Sequence, residues 1–234
     1  MKTVVCWDID GTLISTARAG VFALEEAARE VCGAEPDFAE LRTSGLTDAE
    51  VAALAIETCT GRTGDAPTAT AFLRAYERHL PERLTWRRGS VLAGVKAILD
   101  DLAERPNVTC LLLTGNTAAG AQAKLSHYGL EAYFADGAFC GDGEDRESIA
   151  RRAGELARRH ANGALADDRV FVVGDTPHDV RCGLAIGART VAVASGDYGE
   201  EELAGAGAWL TLPRLPAPAE FARLLGIGSD TLAG

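Results

Sequence analysis

The stretch that decides the fold is Thr3-Val4-Val5-Cys6-Trp7-Asp8-Ile9-Asp10-Gly11-Thr12-Leu13, in which an apolar run ends at a pair of carboxylates. Residues 3–7 are rich in β-branched and aromatic side chains without polar alternation, a pattern typical of a strand buried on both faces. Similar runs follow at residues 108–113, 170–173 and 190–194. Because segments of helical character separate these runs, the sequence predicts an α/β fold with a parallel sheet flanked by helices.

Composition narrows the class of protein. Of the 234 residues, 47% are hydrophobic and 24% charged, which excludes a disordered or collagen-like chain. The net charge of -11 repels nucleic-acid phosphates, so we expect no nucleic-acid partner. The six cysteines form no C-x-x-C pair, which argues against a zinc site and favours reduced thiols. No run reaches the ~20 apolar residues that span a bilayer, and no signal peptide is recognisable, so we expect a cytoplasmic protein without a membrane partner.

A helical insertion follows the first strand. From residue 15 to residue 88 the sequence has no strand-like run and shows three helix-like stretches, at residues 21–31, 48–59 and 68–79. This change of pattern predicts a helical domain over residues 15–88, inserted into an α/β core formed by residues 1–14 and 89–234. Residues 89–104 have the pattern of an amphipathic helix that leads to the second strand.

Two pairs of carboxylates carry the strongest chemical signal. Asp8 and Asp10 stand two residues apart in extended chain and therefore share one side, where their repulsion requires a cation or a shared proton. Asp175 and Asp179 stand four apart and share a face if a helix begins there. Ligands of open α/β sheets bind outside the carboxyl ends of the strands, so we expect these groups on one rim. Such oxygen donors suit Mg2+.

A polar turn after the second strand adds a weaker signal. In Thr114-Gly115-Asn116, a hydroxyl and free backbone N–H groups at a strand-to-helix turn suit a phosphate oxygen. Taken alone, an ordinary capped turn explains this stretch better than a phosphate site does. For the carboxylate pairs the alternatives are weaker: an acidic turn built on Gly11 for the first pair, and a helix N-cap without a metal for the second.

Together the motifs resemble the haloacid-dehalogenase-like hydrolase superfamily, whose members are mostly phosphatases. The resemblance rests on D-I-D-G-T-L at residues 8–13, T-G-N at 114–116 and V-G-D-T-P-H-D at 173–179, in that order, and it covers nearly the whole chain. The helical insertion is similar in position to the type-one cap of phosphoglycolate-phosphatase-like and β-phosphoglucomutase-like members. The resemblance implies a Rossmann-like core with a small inserted cap domain.

The resemblance also implies a role for each motif residue. Asp8 would be the nucleophile that forms an aspartyl-phosphate, and Asp10 the general acid and then the general base. Thr114 would hydrogen-bond the transferring phosphoryl group. Asp8, the backbone carbonyl of Asp10 and Asp175 would bind Mg2+, with Asp179 supporting the metal site directly or through water.

The sequence departs from the family at its third motif, which usually carries a Lys before Pro. No Lys-Pro occurs here, and the candidates for the basic residue are Arg146 and Lys124. We favour Arg146, because it lies in the expected stretch, at the start of a predicted helix, and a guanidinium can hold a phosphate and a carboxylate at once. The alternative interpretation of Lys124 is a solvated helix residue.

Substrate selection is expected from the polar loop at residues 42–48, which in related capped proteins reaches into the active site. The alternative is a plain interhelical turn capped by Thr47 or Asp48. Ser15 either contacts substrate or caps the first helix of the insertion. The residues that we expect to contact substrate are Gly11, Ser15, Thr47, Gly115 and Asn116.

The function that these expectations favour is a Mg2+-dependent phosphomonoesterase acting on a small phosphorylated metabolite, because a closing lid leaves little room for a large substrate. A sugar-phosphate mutase would use the same residues, and a catalytically silent binding protein is a third hypothesis on the same fold. A dehalogenase is disfavoured by the second carboxylate, Asp10. The sequence leaves open the substrate's identity and the choice between monomer and homodimer.

Overall fold

The computed structural model describes residues 2–38, 41, 43–86, 88–141, 145–162 and 165–228, without the side chain of Asp167. Its helices and strands in chain order are β1 (Thr3–Trp7), β2 (Ile14–Ser15), α1 (Ala19–Cys32), α2 (Asp48–Thr60), α3 (Ala66–Trp86), β3 (Ser90–Val91), α4 (Val95–Ala103), β4 (Val108–Thr117), α5 (Ala118–Tyr128), β5 (Gly137–Cys140), α6 (Arg146–His160), β6 (Val170–Gly174), α7 (Pro177–Ala185), β7 (Arg189–Val193), α8 (Glu200–Gly205), β8 (Leu210–Leu212) and α9 (Pro218–Leu224).

Six of the strands form one parallel sheet in the order β5-β4-β1-β6-β7-β8, which confirms the predicted α/β fold. The fully buried strand β1 lies between β4 and β6, so that Val5 is opposite both Cys110 and Phe171. Strands β5 and β8 were not predicted, because runs of three or four residues carry little periodic signal. The sheet thus places the ends of β1, β4 and β6 side by side.

The two faces of the sheet pack against different helices. Along β1, Val5 and Trp7 point into the apolar layer beneath α4, α5 and α9, while Val4 and Cys6 point into the layer beneath α6 and α7. This alternation is the period of two that an extended chain imposes. Each Val or Leu that is fully buried in these layers stabilises the fold by roughly 1.5–3 kcal/mol, so the sheet forms a rigid platform for its rim.

The helices α1 to α3 have an apolar core of their own, which includes Ala27, Phe72 and Leu80. The chain enters and leaves this helical insert through a two-stranded antiparallel link, β2 with β3, in which Ser15 is opposite Ser90. Two-residue strands are too short to predict from a pattern. The division into a core and a cap domain at residues 15–88 stays a prediction.

Two local expectations were wrong. The helix predicted over residues 89–104 begins only at Val95, since Gly94 turns the chain with a φ of 85° and the residues before it form β3. Ser15 does not cap α1, whose N-cap residue is Arg18 in the left-handed region. The Ser15 hydroxyl instead accepts a hydrogen bond from the Ala17 N–H at 3.4 Å.

Candidate active site

The carboxylates predicted from the sequence converge at one rim of the sheet. Asp8 directly follows β1, Asp175 directly follows β6, and Asp179 lies in the first turn of α7. One carboxylate oxygen from each of the three lies within 4.8 Å of the others, and all three side chains are buried. The parallel arrangement of neighbouring strands is what brings residues 8 and 175 together.

Asp175 is held by the loop that follows Asp8. The Thr12 hydroxyl donates a hydrogen bond to Asp175 Oδ1 at 2.9 Å. Gly11, with a φ of 80°, and Gly196 lie so close to this carboxylate that a Cβ at either position would overlap it. Glycine at position 11 therefore serves both the backbone conformation and the approach of Asp175, so its predicted substrate contact is not its only role.

The Asp179 carboxylate contacts both Thr176 and Arg146 at the start of α7. The N-cap of this helix is Thr176, so the alternative that Asp175 or Asp179 is the N-cap is wrong. Asp179 Oδ2 accepts hydrogen bonds from the Thr176 N–H at 3.0 Å and the Thr176 hydroxyl at 2.7 Å, which completes a capping box. Its Oδ1 faces Arg146 Nη1 at 3.4 Å. Both oxygens thus have protein partners.

The electrostatics of this rim favour a cation. Burial, and next the carboxylate of Asp179, raise the pKa of Asp8 well above its usual range, while the Arg146 guanidinium lowers it. Burial and then Asp179 raise the pKa of Asp175 to about 8. Carboxylates packed this closely oppose one another's ionisation, and a hard divalent cation relieves that opposition. Three carboxylates offering oxygen donors fit a metal ion of the Mg2+ class.

Arg146 is the basic residue on the side of Asp8. It is the first residue of α6, after the N-cap Asp145, as the sequence predicted. Its Nε donates a hydrogen bond to the Gly45 carbonyl at 3.1 Å, and its Nη1 pairs with Asp179. The residues 142–144 of the same expected stretch lie outside the described residues.

Lys124 is a second basic residue at the site, on the side of Asp10. Its Nζ lies 2.6 Å from Asp10 Oδ2 and also donates to Asn116 Oδ1. Its side chain is only 5% exposed, so the interpretation as a solvated helix residue was wrong. Burial lowers the pKa of Lys124, but Asp10, Tyr76 and Asp48 together outweigh burial, so the pKa is raised overall and the ammonium stays charged. The two candidates for the basic residue therefore have different partners.

The polar turn after β4 connects to Asp10. Asn116 Nδ2 donates to Asp10 Oδ2 and to Thr114 Oγ1, each at 2.8 Å. Thr114 is fully buried at this junction. At Gly115, a Cβ would come within 2.8 Å of the Leu46 carbonyl oxygen, so glycine is what admits the loop of the helical insert.

A cleft of about 670 Å³ lies between this rim and the helical insert. The sequence-predicted residues that line it are Asp8, Asp10, Gly11, Ser15, Gly115, Asn116, Arg146 and Asp175. Thr47 was expected to contact substrate, but it is fully buried and its hydroxyl accepts a hydrogen bond from the Glu50 N–H at 3.2 Å. Its capping-box role at α2 was the alternative interpretation. Arg42 of the same predicted loop lies outside the described residues.

Other cleft residues were not singled out as functional from the sequence. Asp48 and Tyr76 project from the helical insert, and Ser195 and Asp197 follow β7. Asp48 was predicted only as the last residue of the loop at residues 42–48 or as a helix cap, and nothing in the local sequence around Tyr76 distinguishes it from a core aromatic residue. Ser195 directly follows a predicted strand. This position at the rim of the sheet is the feature of the sequence that could have indicated a functional role.

Comparison with known proteins identifies the family. The family model of haloacid dehalogenase-like hydrolases matches residues 2–187. The chain belongs to this family. The resemblance stated from the motifs and the expectation of a hydrolase are thereby confirmed. No curated protein matches the chain. None of the described helices is long and apolar enough to cross a membrane.

Solved structures of this haloacid dehalogenase-like fold cover almost the entire chain. A predicted phosphatase from Clostridium acetobutylicum has a TM-score of 0.73 at 20% identity, over 97% of this chain and 99% of its own. A predicted phosphoglycolate phosphatase from Haemophilus somnus has a TM-score of 0.73 at 14% identity, over 95% and 97%. A Thermotoga maritima protein, provisionally named a β-phosphoglucomutase, has a TM-score of 0.64 at 19% identity, over 97% and 99%. These likenesses establish the shared fold, and their names match the branch that the motifs indicated.

Proposed function

We propose that this hydrolase is a Mg2+-dependent phosphomonoesterase that acts on a small phosphorylated metabolite through an aspartyl-phosphate on Asp8. The observation that carries the proposal is the convergence of Asp8, Asp175 and Asp179 within 4.8 Å, at the rim of a cleft that Asp10 and Arg146 also line. A nucleophile, a proton carrier and a cluster of oxygen donors then share one space, which is the set that phosphoryl transfer requires.

The carboxylates of Asp8 and Asp175 and the backbone carbonyl of Asp10 would hold the metal, with Asp179 in support. When bound, Mg2+ supplies positive charge that offsets both the clustered carboxylates and the oxygens of a phosphoryl group. Asp179, whose two oxygens already have protein partners, would keep Arg146 in place beside Asp8.

In the first half of the reaction, the Asp8 carboxylate attacks phosphorus and the bond from phosphorus to the ester oxygen breaks. Asp10 gives its proton to that departing oxygen, so the alcohol leaves neutral. In the second half, Asp10 takes a proton from water, which attacks phosphorus and releases inorganic phosphate and the Asp8 carboxylate. Thr114 and Arg146 would hold the transferring phosphoryl group throughout.

The helical insert, which we propose as a cap domain over residues 15–88, would exclude bulk water and limit the size of the substrate. Its loop touches the core at the site itself, since the Gly45 carbonyl accepts from Arg146 and the Ser44 hydroxyl donates to Asp197. A cleft of about 670 Å³ is of the size that holds a small metabolite.

The test is phosphate release from a panel of small phosphate monoesters, with Mg2+ and with EDTA, for the wild type and Asp8→Asn. We expect release that needs both Mg2+ and Asp8, because Asn retains the shape but not the nucleophilic oxygen. Release by folded Asp8→Asn at the wild-type rate would contradict the proposal. Isomerisation of a sugar phosphate without phosphate release would favour the mutase instead.

A further inference from the structure

Two cations, the buried Lys124 and the partly buried Arg146, lie beside different catalytic carboxylates of the site. Arg146 pairs with Asp179 and lowers the pKa of Asp8, whereas Lys124 contacts Asp10. We propose that Lys124 is a positioning residue that orients Asp10 toward the leaving group and takes no part in holding the phosphoryl group. The inference rests on the proposed function, in which Asp10 protonates the departing oxygen.

The hydrogen bonds to Asp10 are directed at one of its oxygens. Lys124 Nζ at 2.6 Å and Asn116 Nδ2 at 2.8 Å both donate to Oδ2. The side chain of Asp10 is nevertheless 42% exposed and lines the cleft. Two donors on Oδ2 restrict the rotation of the carboxylate, and no hydrogen bond from the described residues engages Oδ1, which would leave that oxygen for a substrate. The geometry thus selects the atom that would carry the proton.

Lys124 also fixes the amide of Asn116. Because the ammonium can only donate, its contact with Asn116 Oδ1 requires that the amide nitrogen point the other way, toward Asp10 and Thr114. The Tyr76 hydroxyl lies close enough to the ammonium to interact with it electrostatically. Two of the three N–H donors of the ammonium are thus directed at Asp10 and Asn116.

The groups that interact electrostatically with Lys124 come from both the core and the helical insert. Tyr76 lies on α3, and Asp48, which begins α2, accepts a hydrogen bond from the Thr117 N–H of the core at 2.7 Å. A buried charge is costly unless it is paired and hydrogen-bonded, and these contacts satisfy that condition. The insert therefore contributes to the surroundings of the ammonium that contacts Asp10.

Two esters of similar size separate this role from a purely structural one. The p-nitrophenolate of p-nitrophenyl phosphate departs as a stable anion, whereas the benzyl alcohol of benzyl phosphate needs a proton as it leaves. The ratio kcat/KM reports the steps up to this departure. A residue that positions the general acid affects benzyl phosphate selectively, and a residue that only stabilises the fold affects both esters alike.

The experiment measures kcat/KM on both esters with Mg2+ for the wild type, Lys124→Met and the matched control Lys96→Met, an exposed lysine paired with Asp100. We expect Lys124→Met to lose about 10–100-fold on benzyl phosphate and less than ~3-fold on p-nitrophenyl phosphate. In an Asp10→Asn background, the same change should add no further difference between the esters. Equal losses on both esters would overturn the inference.

A second variant covers the case in which Lys124→Met does not fold. Lys124→Arg keeps the buried positive charge, but its longer planar guanidinium cannot occupy the position of Nζ between Asp10 and Asn116. We expect it to retain the selective loss on benzyl phosphate, at a smaller factor. Wild-type rates on both esters would show that charge alone suffices and would contradict positioning. A wild type that hydrolyses neither ester nor any of the panel would instead contradict the proposed function itself.

Discussion

At the scale of single residues, Arg146 and Lys124 show that the role of a cation depends on which carboxylate it contacts. Lys124 is buried and Arg146 partly buried, yet Arg146 lies beside Asp8 and Asp179 and Lys124 beside Asp10. The sequence left open which of the two is the basic residue of the third motif. Their different partners suggest that each supports a different step of the proposed reaction. Removing either cation leaves a carboxylate without its partner, which is costlier than the loss of an exposed pair.

Arg146→Ala is expected to lower kcat/KM on benzyl and p-nitrophenyl phosphate by a similar factor, on the order of 10–100-fold, because the lost charge acts on the phosphoryl group and on Asp8. The matched control is Arg151→Ala, an exposed arginine on the same helix. Steady-state kinetics on the two esters are the measurement. Full activity of Arg146→Ala beside an inactive Lys124→Ala would reverse the assignment of the basic third-motif residue.

The Asp48 carboxyl is expected to make the stability of the protein decrease as the pH rises. Burial raises its pKa from the usual 3.8 to about 6, against the lowering effects of Lys124 and the Thr117 N–H; Asp10 and Glu77 raise it further. A raised pKa means that stability is greatest when the group is protonated and falls as the pH rises from about 4 through about 6. In Asp48→Asn this loss is absent. The free energy of unfolding of the variant relative to wild type should therefore increase over that interval.

Urea unfolding from about pH 4 to about pH 7 measures this difference, with Asp65→Asn as the control. Asp65 is exposed, and its hydrogen bonds from Thr68 lower its pKa. A lowered pKa changes stability mainly below about pH 4, so its substitution should give a nearly constant difference from wild type over this interval. A pH-independent difference for Asp48→Asn would contradict the assignment of a raised pKa to this carboxyl.

At the scale of elements, the loops after β1 and β7 enclose the Asp175 carboxylate. Gly196→Ala places a methyl group against that carboxylate, whereas Gly199→Ala in the same loop has its nearest neighbour at 3.9 Å. We expect Gly196→Ala to raise the Mg2+ concentration for half-maximal activity several-fold and to cost roughly 1–3 kcal/mol of stability. Metal titration of activity and urea unfolding test this. Equal behaviour of the two variants would refute the claim that loop packing holds Asp175.

The long buried strands and the carboxylates that follow them could be predicted from the sequence. β1 and β6 are continuous apolar runs, and parallel pairing alone places Asp8 and Asp175 on one rim. The link between β2 and β3 could not be predicted, because each strand has two residues. Thr47 was assigned two roles, and only tertiary burial distinguishes a capping hydroxyl from one that faces the cleft.

The burial of Lys124 also could not be predicted from the sequence. Its neighbours Tyr76 and Asp48 belong to helices of the insert, and no local pattern in α5 shows that those helices pack over it. On a helix, one lysine among small residues is ordinarily solvated. What the sequence lacked was the tertiary arrangement of α2, α3 and α5, which decides burial.

At the scale of the whole molecule, the helical insert and the sheet core meet at the site. The contacts that join them include Arg146 with the Gly45 carbonyl, Asp48 with the Thr117 N–H and Ser44 with Asp197. All of these residues except Thr117 line the cleft, so packing between the two parts helps to shape the site. Under the proposed cap function, we expect a substrate to enter when these contacts open.

The central claim is that Asp8 becomes phosphorylated, and trapping that intermediate tests it most directly. The wild-type protein is mixed with Mg2+ and an ester that it hydrolyses, quenched in acid and treated with borohydride, which reduces an aspartyl-phosphate to homoserine. Peptide mass mapping then identifies the modified position. The account predicts homoserine at position 8 only when ester and Mg2+ are both present. Turnover with an unmodified Asp8, or with the modification at another carboxylate, would contradict it.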